Sequence, residues 1–206
     1  MYWVTRLTFD ISVSLDGYIT GPNPRREEPM GDGGERLHEW MTGLTDMRSE
    51  RHDSSDARAS DVIADVHESA GALVMGRGMF DAGEEPWGDD PPFGMPVFVV
   101  THRARETDVR KGGTTYHFVT EGPASALERA QSEAGEKDVL IAGGADLIRQ
   151  YLNAGEVDAF QLHLIPIVLG GGVRLFDGWP SQGPAFELTR VVESPGATHL
   201  RYRVEN

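Results

Sequence analysis

Val139-Leu140-Ile141-Ala142-Gly143-Gly144-Ala145-Asp146-Leu147-Ile148-Arg149-Gln150-Tyr151-Leu152 decides how this chain is read. It opens as a short apolar run, breaks at two glycines, and resumes with Ala145, Ile148 and Leu152 at steps of three and four. A buried strand feeding straight into a helix has this pattern. Glycine lets backbone approach a neighbour closely. The free N–H groups of a helix start, with the positive end of its dipole, favour an anion such as a pyrophosphate. A Gly-Gly pair alone more often marks a plain strand-to-helix turn, so the neighbouring stretches carry the decision.

Two of them repeat the design. Ala72-Leu73-Val74-Met75-Gly76-Arg77-Gly78-Met79-Phe80-Asp81 is an apolar strand ending at glycine, with Arg77 beside it. The planar guanidinium fork of Arg77 suits a phosphate, although a helix-surface arginine would look the same. Val97-Phe98-Val99-Val100 runs into Thr101-His102-Arg103, with Arg105 close behind. In open α/β sheets the carboxyl ends of parallel strands lie on one side, where ligands bind. Three such ends could grip one extended phosphorylated ligand. A dinucleotide fits, with Arg103 and His102 suited to an additional 2′-phosphate. No acidic residue stands there to bind a free 2′-hydroxyl, and G-x-G-x-x-G is missing near the chain start. The residues therefore favour NADPH over NADH, on an arrangement other than the Rossmann one.

The remaining elements fall around these three. Leu7, Phe9, Ile11 and Val13 alternate with Thr8, Asp10, Ser12 and Ser14, a strand with one polar face that could border a cleft. Asp16-Gly17 then turns the chain. Asp16, at the mouth of a central strand, suits either a substrate-orienting or proton-relaying group or a turn residue bonding its own backbone. Gly34 to Thr42 predicts a short helix with Leu37, Trp40 and Met41 on one side, and Met47 to Ser60 predicts a mobile loop. Ser60 is a candidate N-cap for a helix with Val62, Ile63, Val66 and Ala70 as its stripe and Gly71 as its stop. Residues 82–96 predict a loop. Tyr116 to Val119 reads as a strand, Pro123 to Ala134 as a helix, and Val157 to Leu169 as a long β segment broken by Gly170-Gly171-Gly172. Phe186 to Val192 and Thr198 to Val204 read as an antiparallel hairpin. Strands alternating with helices, then strands alone, predict an α/β fold with a mostly parallel central sheet and an antiparallel C-terminal edge, in a single domain over residues 1–206.

Composition removes whole classes of function. The 206 residues carry a formal net charge of -14 and no long basic block, which argues against nucleic acid as a partner. With no cysteine, disulfides, thiolate metal sites and a cysteine nucleophile are excluded. The seven histidines show no metal-ligand spacing, so no metal is expected. No G-x-S-x-G and no Walker motif appears. There is no signal-peptide core and no run of membrane-spanning length, so a cytoplasmic protein is expected.

In order, Ser14-Leu15-Asp16-Gly17, Met75-Gly76-Arg77-Gly78-Met79-Phe80, Val99-Val100-Thr101-His102-Arg103 and Ile141-Ala142-Gly143-Gly144-Ala145 resemble the dihydrofolate reductase-like superfamily. The closest branch is the reductase domain at the C-terminus of riboflavin-biosynthesis deaminase/reductases. The resemblance runs from about residue 5 to 204. It implies an NADPH-dependent reductase with an eight-stranded central sheet. It places Gly76, Arg77, Gly78 and Met79 at the cofactor phosphates, and Thr101, His102 and Arg103 at the adenosine 2′-phosphate. Gly143, Gly144, Ala145, Asp146 and Leu147 would hold the pyrophosphate, and the loop from Asp16 through Gly17 to Ile19 would close over nicotinamide and substrate. Met79 stands where many relatives have Thr. Glu35, His38 and Glu39 lie near Trp40, but none sits at the spacing of the folate-binding acid, which points away from folate. The expected activity is hydride transfer to a small pterin-like, pyrimidine-like or carbonyl substrate. Asp16 is its candidate catalytic group, and Trp40, Trp87 and Phe176 are candidate walls for a planar ring, each also a plausible core residue. A nucleotide-binding or regulatory protein on the same fold is the alternative, as is a partner-binding domain. A homodimer is expected from the resemblance and the apolar closing strands.

Overall fold

The computed structural model describes residues 5–41, 54–180 and 183–205. In chain order the elements are β1 (Leu7–Ser14), β2 (Tyr18–Thr20), a 3-10 turn (Gly34–Leu37), α1 (Ser54–Ser69), β3 (Ala70–Gly76), α2 (Arg77–Trp87), β4 (Pro96–Val100) and β5 (Asp108–Val109). They continue with β6 (Thr115–Val119), α3 (Pro123–Ala134), β7 (Asp138–Gly143), α4 (Ala145–Asn153), β8 (Ala159–Ile165), β9 (Val173–Arg174), β10 (Ala185–Ser194) and β11 (Ala197–Glu205). Two compact units divide the chain: one ends at Phe9 and resumes over Ser69–Asp158, the other takes Asp10–Glu68 and everything from Ala159 onward. Strand β1 passes from the first to the second between Phe9 and Asp10.

In the first unit the hydrogen-bonded order is β1-β7-β3-β4-β6-β5. Every pair is parallel except β5 with β6. Parallel strands covered on both faces need apolar side chains on both. That is why Leu73, Val74, Met75, Val97, Phe98, Val99, Val139 and Ile141 are all buried, with no polar alternation. Helix α3 turns Ala126, Leu127, Ala130 and Ala134 inward. Its end comes so near the start of β3 that a Cβ on Gly71 would lie 2.4 Å from the Ala134 carbonyl oxygen. Gly71 is thus required by close packing inside a strand, not by a helix stop. Arg6 holds Asp138 through Nη2 to Oδ2 at 2.7 Å, which pins the edge where β1 meets β7.

In the second unit the order is β10-β11-β8-β1, with β10 and β8 each antiparallel to β11. On one face of β8 lie Gln161, His163 and Ile165. Leu37, Trp40, Ala59 and Ala197 form a buried cluster with Ile165, edged by Met41, Ile167 and Leu169. The other face carries aromatics: Phe160 stacks on Tyr202 at 5.0 Å and meets Phe176 and Phe186 edge-on. β2 and β9 form a separate antiparallel pair, with Tyr18 opposite Arg174.

The α/β class with a mostly parallel central sheet and an antiparallel C-terminal hairpin is as expected. Several details differ. Among the described residues the two ladders hold nine strands where the resemblance implies eight; β5 is only two residues long. Helix α1 starts at Ser54, so Ser60 is inside it and is not an N-cap, while residues 47–53 of the expected loop lie outside the described residues. Gly34 to Thr42 is a 3-10 turn ending at Leu37, followed by a new helical turn from Glu39; Thr42 is not described. Loop composition at 82–87 hides the end of α2, which carries Pro86 in its last turn and ends at Trp87. The β segment expected to reach Leu169 stops at Ile165, before Pro166, which has no N–H for a ladder.

Candidate active site

The three phosphate-friendly strand ends belong to adjacent strands of the first unit. Gly76, the last residue of β3, is opposite Val100, the last of β4. Met75 is opposite Gly143, the last of β7. The chain therefore leaves three neighbouring parallel strands at one level, into Arg77, Thr101 and Gly144. A Cβ on Gly76 would lie 3.6 Å from the Gly144 nitrogen and 3.7 Å from the Gly143 oxygen, so two of the turns touch. The Gly143–Gly144 peptide is cis. On the other side, a Cβ on Gly143 would meet the Met79 sulfur at 3.8 Å.

Helices α2 and α4 begin at these turns, with Gly76 and Gly144 as N-caps and no side-chain cap bond at either. Their first N–H groups have no side-chain acceptor, the state in which a helix start receives an anion. A Cβ on Gly78 or on Gly144 would meet nothing within 4 Å, so the space in front of both starts is open. Asp146 in the first turn of α4 has the wrong sign for an anion, but it is ion-paired with Arg149.

The cations of this region are held by acids on α2. Arg77 Nε donates to Asp81 Oδ1 at 2.6 Å, and Arg103 reaches the other Asp81 oxygen at 3.7 Å. Arg103 is 72% exposed at its side chain. Arg105, which composition alone leaves unremarkable, lies over the Phe80 and Phe118 rings and pairs with Glu84 and Asp108. Thr101 is buried, and its Oγ1 accepts the Arg103 N–H at 3.1 Å, which fixes the turn that presents His102 and Arg103 to solvent. Ala145 and Leu147 point into the core of the unit.

Asp16, Gly17 and Ile19 belong to the second unit. The Asp16 carboxylate accepts from Ser14 Oγ at 2.7 Å, from Gly170 N–H at 2.7 Å and from Leu169 N–H at 3.1 Å. The Ser14 hydroxyl first, and then these amides, hold its pKa down at about 2. An ionised carboxylate with three donors clamps the Gly170-Gly171-Gly172 turn to the end of β1. It is not a proton donor near neutrality. Gly17, at φ 86°, accepts the Leu175 N–H, and Ile19 is buried in β2.

The three candidate ring walls are not assembled within either unit. Trp87 folds back over its own helix: a Cβ on Gly83 would sit 2.2 Å from its ring, and Phe93 meets it edge-on at 4.9 Å. Trp40 and Phe176 are on opposite faces of β8, the first against His163 and the second against Phe160, because positions 163 and 160 differ by an odd step.

Around Trp40 lies a polar cluster that the sequence does not announce. The Trp40 indole donates to Ser12 Oγ at 3.1 Å, and its ring covers the imidazoles of His163 and His199 at 4.5 and 4.9 Å. The two imidazoles bond to each other, His163 also pairs with Asp10, and His199 also bonds Ser194. Burial lowers the His199 pKa to about 4, and it lowers that of His38 nearby as well. The only trace in the sequence is Asp10 on the polar face of β1 and two histidines embedded in apolar strands. Among the described residues no group of three or more acids and histidines converges to hold a metal; these side chains line up end to end.

Residues 5–200 match the family model described as RibD C-terminal domain. The chain is 25% identical over 177 residues to the uncharacterized protein YyaP of Bacillus subtilis strain 168, covering 83% of this chain and 80% of that one. Its fold is similar to that of a diaminohydroxyphosphoribosylaminopyrimidine deaminase/5-amino-6-(5-phosphoribosylamino)uracil reductase from Thermotoga maritima, at TM-score 0.62 and 15% identity, covering 97% of this chain and 56% of that one. It is also similar to dihydrofolate reductase from Enterococcus faecalis, solved with NADP(H) and RAB-propyl, at TM-score 0.55 and 14% identity over the whole of both chains.

Proposed function

Since the chain belongs to the RibD C-terminal domain family, we propose that it is an NADPH-dependent reductase of a small pterin-like, pyrimidine-like or carbonyl substrate. The observation that carries this reading is the pair of uncapped helix starts at Gly76 and Gly144, on adjacent parallel strands, with Arg77 and Arg103 alongside. When bound, NADPH supplies a hydride. The backbone of Gly143, Gly144, Ala145, Asp146 and Leu147, with that of Gly76, Gly78 and Met79, would hold the pyrophosphate. Arg77 would add a charge-assisted bond, and Thr101 would set the turn that brings His102 and Arg103 to the 2′-phosphate. Gly17 and Ile19 are assigned to the cofactor by resemblance alone.

Titrating the protein with NADPH and NADH, followed by tryptophan fluorescence, tests the reading. Saturable quenching by NADPH at micromolar concentration, weakened at least tenfold for NADH, is expected; no response at millimolar NADPH would sink it. Oxidation of NADPH at 340 nm in the presence of 5-amino-6-(5-phosphoribosylamino)uracil, dihydrofolate and simple carbonyls then assigns the acceptor class. A second reading, an NADP(H)-binding protein without turnover, is favoured by one observation: Asp16 is saturated with donors. NADPH binding without oxidation across the substrate panel would support it. We also propose a homodimer, because edge strand β10 exposes Leu188 and Val191, at 49% and 52%, where unpaired edges invite pairing. Light scattering at micromolar concentration gives the mass directly.

A further inference from the structure

Within the first unit, Asp81 sits between two arginines as a bound anion would. One turn along α2 from Arg77, it accepts the Arg77 Nε–H at Oδ1 over 2.6 Å, and its Oδ2 is 3.7 Å from a terminal nitrogen of Arg103. The first contact stays on one helix; the second crosses from α2 to the turn after β4. Both guanidiniums come from the phosphate-friendly strand ends. Arg77 follows Gly76 at the end of β3, and Arg103 lies just beyond Val100 at the end of β4, the strand paired with it. Two cations from adjacent strands therefore share a single carboxylate, one oxygen each. All three side chains are open to water, at 23% for Arg77, 42% for Asp81 and 72% for Arg103.

The carboxylate is an incomplete partner for this pair. It uses the Nε of Arg77 and leaves the two terminal nitrogens of that fork without an acceptor among the described residues. Its contact with Arg103 is longer than a hydrogen bond. A phosphate monoester carries a charge of about −1.5 to −2 and three acceptor oxygens, enough to take a guanidinium fork through two bonds and reach a second arginine as well. Ion pairs as exposed as these are weak, so a stronger anion can displace the carboxylate. Until it is displaced, Asp81 cancels one of the two positive charges and occupies an N–H that the phosphate would use. The next cation along the chain does not relieve it. Arg105 lies over the Phe80 and Phe118 rings and is paired with Glu84 and Asp108.

We propose that Asp81 is a built-in competitor for the phosphate monoester of the ligand: it occupies the Arg77–Arg103 pair in the free protein, gives way to a dianionic phosphate, and so sets how strongly a phosphorylated nucleotide is preferred to its unphosphorylated counterpart. The proposal rests on the reductase reading for the identity of that ligand, the 2′-phosphate of NADPH. The competition itself involves three side chains of one unit. It has a sign that a positioning role lacks. An acid that only held the arginines in place would weaken the ligand when neutralised, whereas a competitor strengthens it. Asp81→Asn separates the two, because the amide keeps the shape and an oxygen able to accept from Arg77 while the charge is gone.

Two titrations test it. The first uses adenosine 2′-monophosphate, which carries the phosphate but neither pyrophosphate nor nicotinamide, followed in nitrogen-15 spectra of arginine-labelled protein at pH 7. The Arg77 Nε–H signal should move as the nucleotide is added. Asp81→Asn should reach half-saturation at a concentration about five- to tenfold lower than wild type, and Asp81→Glu, which keeps the charge, should stay within about twofold of wild type. The second follows tryptophan fluorescence with the dinucleotides. Asp81→Asn should tighten NADPH by the same factor and change NADH by less than about twofold. Equal or weaker binding of adenosine 2′-monophosphate by Asp81→Asn would overturn the proposal, as would no binding by either protein or an equal gain for NADPH and NADH. Tighter adenosine 2′-monophosphate without any NADPH binding would end the reductase reading and leave the competition standing. NADPH bound equally well by wild type and Asp81→Asn would do the reverse.

Discussion

Acid should unfold this protein earlier than its carboxylates alone would dictate, and His199 is the reason. Its ring is 1% exposed, and burial holds its pKa at about 4 against the ordinary 6.5. An unfolded chain therefore takes up a proton at His199 as the pH falls through 6.5, while the folded chain resists until about 4. Stability from this residue is complete above pH 6.5 and drains away down to pH 4, because the unfolded state binds more protons throughout that window. At about 1.4 kcal/mol per pH unit, the gap corresponds to about 3 kcal/mol. That is a large share of the roughly 5–15 kcal/mol by which domains are stable. Asp16, held at about 2, works in the same direction but only below the ordinary carboxylate value near 3.8. His117 and His38 are also lowered by burial and add to the wild-type loss in the same window. The contribution of His199 is thus isolated as the difference between wild type and His199→Gln, a side chain that never charges. Urea unfolding followed by tryptophan fluorescence at pH 7, 6, 5 and 4.2 should show a wild-type decline steeper by about 3 kcal/mol than that of the variant, which starts lower. Parallel declines for the two proteins would refute the assignment.

Three other outcomes follow from the geometry. Gly71→Ala places a methyl 2.4 Å from a backbone oxygen that cannot easily move, and should cost about 2 kcal/mol or more, seen as a melting temperature lower by about 5 °C; an unchanged melt would mean that β3 and α3 are not so closely set. Asp16→Asn removes the charge that receives the Leu169 and Gly170 amides, so hydrogen exchange at those two positions should quicken by about tenfold; unchanged protection would show that the turn stands without the clamp. Arg103→Ala should weaken NADPH by about ten- to a hundredfold in a titration and leave NADH almost untouched; equal losses for both would remove Arg103 from the 2′-phosphate.

The first unit was legible because its signals are local. A parallel strand buried on both faces must be an apolar run, and the turn after it must be small if two such turns touch, so Ala72–Gly76 and Val139–Gly144 announce themselves. Neighbours in space could not be read from those runs, yet right-handed crossovers between parallel strands leave few arrangements, and β7, β3 and β4 lie side by side. The second unit was harder for the opposite reason. Its key partners are Asp10, His163, His199 and Ser194, separated by more than a hundred residues at one step, and a histidine inside Phe160-Gln161-Leu162-His163-Leu164-Ile165 looks like any strand residue. Only the register of β8 against β11 sets the two rings opposite each other, edge to face. The end of α2 is hidden in the sequence because Gly83, Pro86 and the acids around them suggest a loop; the helix runs on to Trp87, whose ring packs over Gly83 one turn back and meets Phe93 from outside the helix, a tertiary contact that overrides propensity.

Two aspartates on one strand and its turn divide the work by the kind of partner each has. The partners of Asp16 are two backbone amides and a hydroxyl, and an amide N–H can only donate. Protonating Asp16 would therefore weaken both amide bonds and loosen the turn they hold, even where the Ser14 hydroxyl turned to accept. Asp10 faces an imidazole, whose nitrogen can donate to a carboxylate or accept from a carboxylic acid. Gln161 Nε2, 3.3 Å from the other Asp10 oxygen, donates to it and keeps the carboxyl from turning. Replacing His163 by Gln would keep a donor toward Asp10 while cutting the path to His199. Such a protein should fold but unfold at lower urea concentration than wild type, and its loss of stability combined with that of Asp10→Asn should be less than the sum of the two. Additive losses would mean that the two residues are not coupled through the bond between them.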